Sequence, residues 1–368
     1  MGNWRNGELG NFITLKRGFD LPQQKREDGQ VPIFSSSGIT GTHSTAMVNA
    51  PGVITGRYGT IGEVFYAAED FWPLNTTLFV EDFHGNDAKF IYYFLKTLEW
   101  SKFTSASAVP GINRNTVHKE TVSLPDIETQ RIIASTLSML DEKIKTNTEI
   151  NDNLYEMVNA YYTSLFKDVE CEMTTIGNYA ERIYSGGTPT TSNAAYWDGA
   201  FGWFSSGETR NRFVISTEKT ITQAGIDNSS TKLAAKHDIV MASAGQGFTR
   251  GQTSMLLIDT YVNQSVIVIH AERNVLPYLF WNLANRYEEL RAISDSSSIR
   301  GSLTTKMIAT FEIPLANEES LQAFADFSWS VIPQIENNLL ENERLAALRD
   351  NLLPKLMSGE IDVSNIQL

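Results

Sequence analysis

Apolar residues at Ile133, Leu137, Leu140, Ile144, Leu154, Val158, Tyr161 and Leu165 recur at spacings built from threes and fours. That periodicity predicts one long helix over 126–165 with a single apolar seam. A second helix is predicted over 318–357 through Phe324, Phe327, Val331, Ile335, Leu345, Leu348 and Leu352, and Pro333 is expected to kink or break it. Polar Asn147 and Asn151 interrupt the first seam, and Asn338 and Asn342 occupy the equivalent gap of the second. The pattern predicts an antiparallel coiled coil packed through Leu137, Leu140, Ile144, Leu154 and Leu345, with the asparagines fixing its register at some cost in stability. Elsewhere short β-rich runs at 52–55, 63–67, 76–80, 239–242, 255–258 and 265–270 alternate with Gly, Ser and Asn turns, and aromatic helices are predicted near Lys89–Trp100 and Leu276–Arg291.

The chain also repeats itself. Leu9-Gly10-Asn11-Phe12 answers Ile176-Gly177-Asn178-Tyr179, Ile33-Phe34-Ser35-Ser36 answers Trp203-Phe204-Ser205-Ser206, and Val53-Ile54-Thr55 answers Ile239-Val240-Met241. Asn75 falls opposite Asn263, Ser123-Leu124-Pro125 opposite Glu312-Ile313-Pro314, and Ile150–Leu154 opposite Glu341–Leu345. Drifting offsets imply loops of different length on a shared framework. The fold expected is α/β (α+β), with a domain over 1–125, a helix over 126–166, a second domain over 167–315, a second helix over 316–360 and a tail over 361–368.

Composition adds exclusions. In 368 residues, 42% apolar and 11% aromatic residues suffice for buried cores, so disorder is not expected. No leader-like or membrane-length apolar run is present, and a cytoplasmic protein is expected. One cysteine, Cys171, precludes an internal disulfide, and His43, His84, His118, His237 and His270 are too scattered for a ligand set, so no metal is expected. A net charge of −13 opposes binding to polyanions. Much of it lies in the predicted helices, with three basic against seven acidic residues over 126–165 and three against eight over 318–360. The two larger blocks are nearly neutral and can each carry a local basic face.

Gly56-Arg57-Tyr58-Gly59-Thr60-Ile61-Gly62 follows an apolar strand, but what comes next is strand-like, whereas a nucleotide loop should open onto a helix. The plain alternative is a glycine-rich hairpin. The functional one is a turn bringing Arg57, Tyr58 and Thr60 close to a nucleic-acid groove, where Arg suits a bidentate contact with guanine. The second half carries an analogous turn over 243–251 with Gln246, Thr249 and Arg250. Thr104–Arg114, with Ser105, Ser107 and Arg114, is paired with Ser294–Ser302, which holds Ser297 and Arg300. Hydroxyls, backbone amides and a single Arg suit phosphate and base-edge contacts, although each stretch equally suits a plain surface loop. Ser35, Ser36, Ser37 and His43, with Ser205, Ser206, Thr209, Arg210 and Arg212 opposite, form a third candidate surface.

Catalytic signatures are missing. There is no Gly-x-Ser-x-Gly, no His-Glu-x-x-His and no Pro-Pro dipeptide of the kind adenine methyltransferases use. Pro125-Asp126 echoes a nuclease motif without its lysine, and Asp126 reads better as a helix N-cap. Cys171 has no basic neighbour to activate it.

Two β-rich halves, each entering a coiled-coil helix through a Leu-Pro or Ile-Pro step (Leu124-Pro125 to Gln130, Ile313-Pro314 to Gln322), resemble the specificity subunits of type I restriction and modification enzymes. Val262-Asn263-Gln264 and the Leu353–Ile361 ending add to the likeness, which covers nearly the whole chain, while Asn75 is followed by Thr76 instead of Gln. The resemblance implies a non-catalytic reader of double-stranded DNA with two target-recognition domains, which reads a bipartite, asymmetric target across a gap set by the helices. It further implies docking of two modification (methyltransferase) subunits and of ATP-driven restriction subunits, with S-adenosylmethionine, ATP and Mg on those partners and no cofactor in this chain. A coiled-coil scaffold without DNA specificity explains the helices and the acidity, but gives no reason for duplicated glycine turns bearing Arg and hydroxyls. An enzyme of another type lacks the needed motifs.

Overall fold

The computed structural model describes residues 4–104, 110–166, 172–245, 247–296 and 301–363. The chain divides into two compact units, Met1–Lys145 with Glu343–Leu368, and Thr146–Asn342. The first contains β1 (Arg5–Glu8), β2 (Thr14–Arg17), β3 (Val31–Ser35), β4 (Gly38–His43), β5 (Gly52–Gly56), β6 (Val64–Ala67), β7 (Trp72–Pro73), β8 (Thr77–Asp82), α1 (Ala88–Lys96), α2 (Arg114–His118) and β9 (Thr121–Leu124). Helix α3 (Ile127–Phe166) leads into the second unit, with β10 (Met173–Thr175), α4 (Ile176–Tyr179), β11 (Ala180–Ser185), β12 (Trp197–Phe204), β13 (Phe213–Val214), β14 (Lys219–Ile221), α5 (Gln223–Asp227), β15 (Lys232–Ala234), β16 (Ile239–Ala242), β17 (Thr253–Leu256), β18 (Thr260–Val262) and β19 (Val266–Ala271). It continues with α6 (Leu276–Asn285), α7 (Tyr287–Ser296), α8 (Thr305–Ala309), β20 (Glu312–Pro314) and α9 (Glu318–Met357), which ends in the first unit.

The repeat is topological as well as sequential. The first unit has sheets ordered β2-β8-β5-β6 and β4-β3-β7; the second has β11-β19-β16-β17-β13 and β14-β12-β18-β15, the same orders with β13 and β15 added at edges. Each unit also closes on an antiparallel pair, β1 with β9 and β10 with β20. The glycines of the repeated opening stretch pack alike. A side chain at Gly10 would meet His118 on α2, and one at Gly177 would meet the carbonyl of Ala309 on α8.

Both long helices form as expected, each 40 residues long, and Pro333 does not interrupt α9. Asp126 caps α3, its Oδ1 accepting from Thr129 N at 3.0 Å, and Asn317 caps α9 through Ser320 N at 2.8 Å. These caps correct the expected pairing of Gln130 with Gln322. Gln130 lies four residues past its cap and is fully buried, where its amide donates to Asn86 and Pro125 and its carbonyl oxygen accepts from Asp87 N. The residue four past Asn317 is buried Leu321; Gln322 is exposed and bonds its helical neighbour Asp326.

Within each unit the helical segments run antiparallel. In the first, Ile133 and Leu137 are buried with Leu356 and Met357, and Arg349 Nη1 donates to Asp141 at 2.7 Å. In the second, Asn147 Nδ2 donates to Asn342 Oδ1 at 2.9 Å and to Glu341 at 2.7 Å, and Asn338 Nδ2 donates to Asn151 Oδ1 at 2.8 Å. Asn151 in turn donates to the Ile335 carbonyl at 3.3 Å. Leu140, Ile144, Leu154 and Leu345 are half-buried, whereas Leu348 is exposed and lies outside the seam.

The seam omitted Tyr155, Tyr162 and Phe166, which are buried against Trp281, Tyr278 and Phe324. Here α3 packs on the α/β body of its unit as well as on its helical partner, so its apolar face is wider than a coiled-coil stripe. Three further boundaries differ from expectation. The aromatic helix α1 stops at Lys96, with Trp100 in a separate 3-10 turn. The run at 276–291 is two helices meeting at Arg286, whose side chain is tied to Glu289 and to the Glu312 carbonyl. The strand expected at 255–258 lies over Thr253–Leu256.

Candidate nucleic-acid interface

The two glycine turns occupy the same place in the two units. Gly56–Gly62 joins antiparallel β5 and β6, and the 243–251 stretch joins antiparallel β16 and β17. No helix follows either turn directly, which removes the nucleotide-loop reading.

The first turn is anchored by its backbone and leaves its side chains available. Arg57 N donates to the Thr76 carbonyl at 2.8 Å, and the Arg57 carbonyl accepts from Ile112 N at 3.0 Å. Close approach demands glycine here: a Cβ at Gly56 would lie 1.8 Å from the Thr60 carbonyl oxygen, and one at Gly111 would lie 2.2 Å from the Tyr58 ring. The Arg57 guanidinium sits over the Tyr58 ring, 4.5 Å from its centroid. Both line a cavity of about 480 Å³ together with Arg17, Asn113, Arg114 and Asn115. Among the described residues Arg57 and Arg114 have no carboxylate partner, while Arg17 lies 3.6 Å from Asp20. Three guanidiniums, two amides and a tyrosine thus converge, a donor-rich concavity suited to phosphate oxygens and guanine acceptors. Ser36 borders the turn, its Oγ 3.1 Å from where a Gly59 side chain would begin, and Thr60 is exposed. The structure therefore brings Arg57, Tyr58, Ser36 and Arg114 together. Ser105 and Ser107 lie outside the described residues.

The second turn is built differently. Arg250 is only 13% exposed and is consumed internally, donating to the Gly301 carbonyl at 2.7 Å and pairing with Asp295. Arg210 is likewise held by Glu218 and by the Gly207 carbonyl, at 2.7 Å for the latter. Arg212 lies over the Tyr155 ring at 4.2 Å and 3.4 Å from Asp152, so it fastens the domain to α3. Arg250 is thus engaged within the turn, whereas Arg210 and Arg212 keep about half of their side chains exposed beside Glu218 and Asp152. Ser206 and Thr249 are half-buried near the surface, and Gln246, Ser297 and Arg300 lie outside the described residues. His43 also leaves the candidate surface. It is buried, accepts from Glu27 N at 3.0 Å and packs on Trp72. Asn75 and Asn263 have diverged: the first bonds Asp20, and the second caps its own turn through Ser265 N at 2.9 Å.

Sequence reasoning missed a cationic concavity of about 500 Å³ in the second unit, lined by Arg182, Tyr184, Lys232 and Leu233. Arg182 and Lys232 both lie over the Tyr184 ring, at 5.8 Å and 5.6 Å. Burial first, then the nearby Asp238 carboxylate, pushes the Tyr184 hydroxyl up to about 12. It therefore stays protonated and donates to the Leu233 carbonyl at 2.8 Å. Arg182 on β11 and Lys232 on β15 are fifty positions apart and belong to different sheets, and they meet over the Tyr184 ring.

Among the described residues no group of three or more His, Cys, Asp or Glu is gathered as a metal would require, and no helix is long and apolar enough to cross a membrane.

The chain is similar to known proteins along most of its length. It is 25% identical over 249 residues to the EcoR124I/EcoR124II type I restriction enzyme specificity subunit of Escherichia coli, covering 65% of this chain and 61% of that one. The chain therefore matches less than two thirds of that relative's length. It is 21% identical over 347 residues to the HindI specificity subunit of Haemophilus influenzae, covering 72% of this chain and 75% of the relative. In fold it matches the crystal structure of a type I restriction-modification system S subunit from M. genitalium, with a TM-score of 0.66 and 18% identity over 99% of this chain and 97% of that chain. The family model for the type I restriction modification DNA specificity domain matches twice, over residues 1–156 and 169–343, and the chain belongs to that family.

Proposed function

We propose that this chain is the DNA-reading subunit of a type I restriction–modification assembly, in which each unit reads one half of a bipartite target. The observation that carries the reading is the duplicated turn: two sheets of the same strand order each present a glycine-rich hairpin at the same place, and the first offers Arg57 and Arg114 beside Tyr58, without a carboxylate partner among the described residues. In the first half-site Arg57 is assigned a base-edge contact, with Arg114, Ser36, Thr60 and the amides of Asn113 and Asn115 holding backbone phosphates. In the second half-site Ser206, Thr249 and the cleft of Arg182 and Lys232 carry that positioning role, with Gln246, Ser297 and Arg300 as further candidates beside Ser105 and Ser107 in the first.

The two units are built from unlike side chains at equivalent positions, so the two half-sites differ in sequence. A forty-residue helix spans about 60 Å at ~1.5 Å per residue, enough to serve as a spacer over an unread gap. The chain itself performs no chemistry: two methyltransferase subunits with S-adenosylmethionine and the restriction subunits with ATP and Mg supply it, in the cytoplasm. The acidity of the helices leaves much of the basic surface around DNA to those partners, so binding by the isolated chain is weak.

The test is selection of bound duplexes from a random pool, using the chain purified with its co-expressed methyltransferase subunit. Recovery of two short motifs at a fixed separation is the expected result. One contiguous motif, or no enrichment, would overturn the proposal in favour of a scaffold.

A further inference from the structure

Among the described residues of the second unit, one aromatic ring stands almost wholly in solvent. Phe248 is 82% exposed, well beyond Ile39 at 62% and Met139 at 55%. A lone exposed apolar residue is ordinarily unremarkable. What surrounds this one is not ordinary, because the backbone beneath it is clamped from several sides. Tyr287 Oη donates to the Phe248 carbonyl at 2.6 Å, and Arg291 Nη1 donates to the Gly247 carbonyl at 2.5 Å. Gln252 N closes the turn on the Thr249 carbonyl at 2.7 Å, and Arg250 is anchored to Gly301 and Asp295. Gly245 and Gly247 take φ of 142° and 140°, a backbone conformation that glycine adopts without strain. The Arg291 guanidinium lies 5.7 Å from the Phe248 ring centroid.

This arrangement shares with the first turn its place between two antiparallel strands and a guanidinium beside an aromatic ring. There a guanidinium lies over Tyr58, and the ring is packed on Gly111; here a guanidinium flanks Phe248, and the ring is presented outward. Position in the fold and a cation beside an aromatic ring are shared, while a half-buried tyrosine is replaced by an exposed ring that can make only apolar contact. In the major groove the apolar feature that distinguishes one base from the others is the 5-methyl group of thymine.

We infer that Phe248 is a specificity-determining residue of the second half-site, reading a thymine through apolar contact with its 5-methyl group. The inference rests on the DNA-reading role proposed above. Since the ring is exposed and the turn is held through main-chain carbonyls, Phe248→Ala leaves the fold intact, and an unchanged thermal midpoint verifies this.

The experiment uses the chain with its methyltransferase subunit and the duplex selected by the wild-type complex, replacing each thymine of the second half-site in turn by deoxyuridine, which lacks only the methyl. Wild type is expected to lose about fourfold in affinity at one position, the effect of one buried methyl-sized group. Phe248→Ala is expected to bind the intact site about tenfold more weakly, to be indifferent to deoxyuridine at that position, and to reselect a target degenerate there while the first half-site is unchanged; Phe248→Leu should recover part of the affinity. A second half-site without thymine, equal deoxyuridine sensitivity in wild type and Phe248→Ala, or an unchanged reselected target would each overturn the inference while leaving the bipartite reading intact. If the wild type selects no bipartite target, the DNA-reading proposal itself fails.

Discussion

The turn between β5 and β6 and the turn between β16 and β17 answer the same topological demand with opposite distributions of charge. In the first, backbone bonds from Thr76 and Ile112 do the anchoring, and Arg57 and Arg114 are left without a carboxylate partner among the described residues. In the second, Arg250 and Arg291 do the anchoring, and what reaches solvent is a phenyl ring. An arginine in a glycine-rich turn is therefore not by itself a contact residue. Whether its guanidinium meets a ligand or its own main chain depends on which nearby carbonyls and carboxylates the fold supplies.

The comparison can be broken most severely at the glycines. Gly56→Ala would drive a methyl into the Thr60 carbonyl 1.8 Å away, and is expected to cost about 3 kcal/mol of stability in urea unfolding. Gly247→Ala meets no atom within 4 Å and should cost only about 1 kcal/mol, the strain of a residue held at φ 140°. Similar losses at the two sites would show that the turns are not supported in the different ways described.

At the arginines the expected effects are smaller and fall on different observables. Arg250→Ala should lower stability by about 2 kcal/mol, since it strips the Gly301 carbonyl and Asp295 of their partner. Arg57→Ala should leave the thermal midpoint unchanged, yet weaken DNA binding by about 1 to 3 kcal/mol and relax one position of the first half-site only. A fall in stability for Arg57→Ala with unaltered selectivity would exchange the roles of the two residues.

The smallest effect is in pH dependence, where the units are alike. His118 in the first is held below the usual imidazole range by burial, then by Arg114 and His84, and His237 in the second by burial, then by Arg273 and Lys236. His118 Nε2 accepts from Leu15 N at 2.9 Å, a bond that requires an unprotonated nitrogen. A depressed folded-state value makes this contribution complete above the unfolded value of about 6.5, and lost as pH falls through the folded one. Unfolding midpoints should therefore decline on acidification below about pH 6.5, and His118→Gln, which retains an acceptor, should flatten part of that decline. An unaltered slope in the variant would exclude His118 as a source.

The helices and the repeat were legible in the sequence because both are periodic signals carried by many residues, and the Asp126 cap because capping is local. What escaped depended on single distant partners. Gln322 stood in for Leu321 because the stretch between Pro314 and the Asn317 cap is longer than the direct step from Pro125 to Asp126. Arg250 read as exposed because Asp295 lies 45 residues away, and Arg182 and Lys232 come together from two separate sheets. Phe248 was overlooked because nothing local distinguishes an aromatic that packs inward from one that is displayed.

The amide pairs Asn147–Asn342 and Asn151–Asn338 bear on how such a chain can evolve. Residues inserted into one helix alone would slide its asparagines past their partners and strand buried amides, each at a cost of about 1 to 3 kcal/mol. Lengthening the spacer is thus a two-locus change: duplications must arise in both helices, nearly two hundred codons apart, before the pairs can close again. An intermediate carrying only one of them would bear that loss, and spacer length should accordingly change in discrete, matched steps.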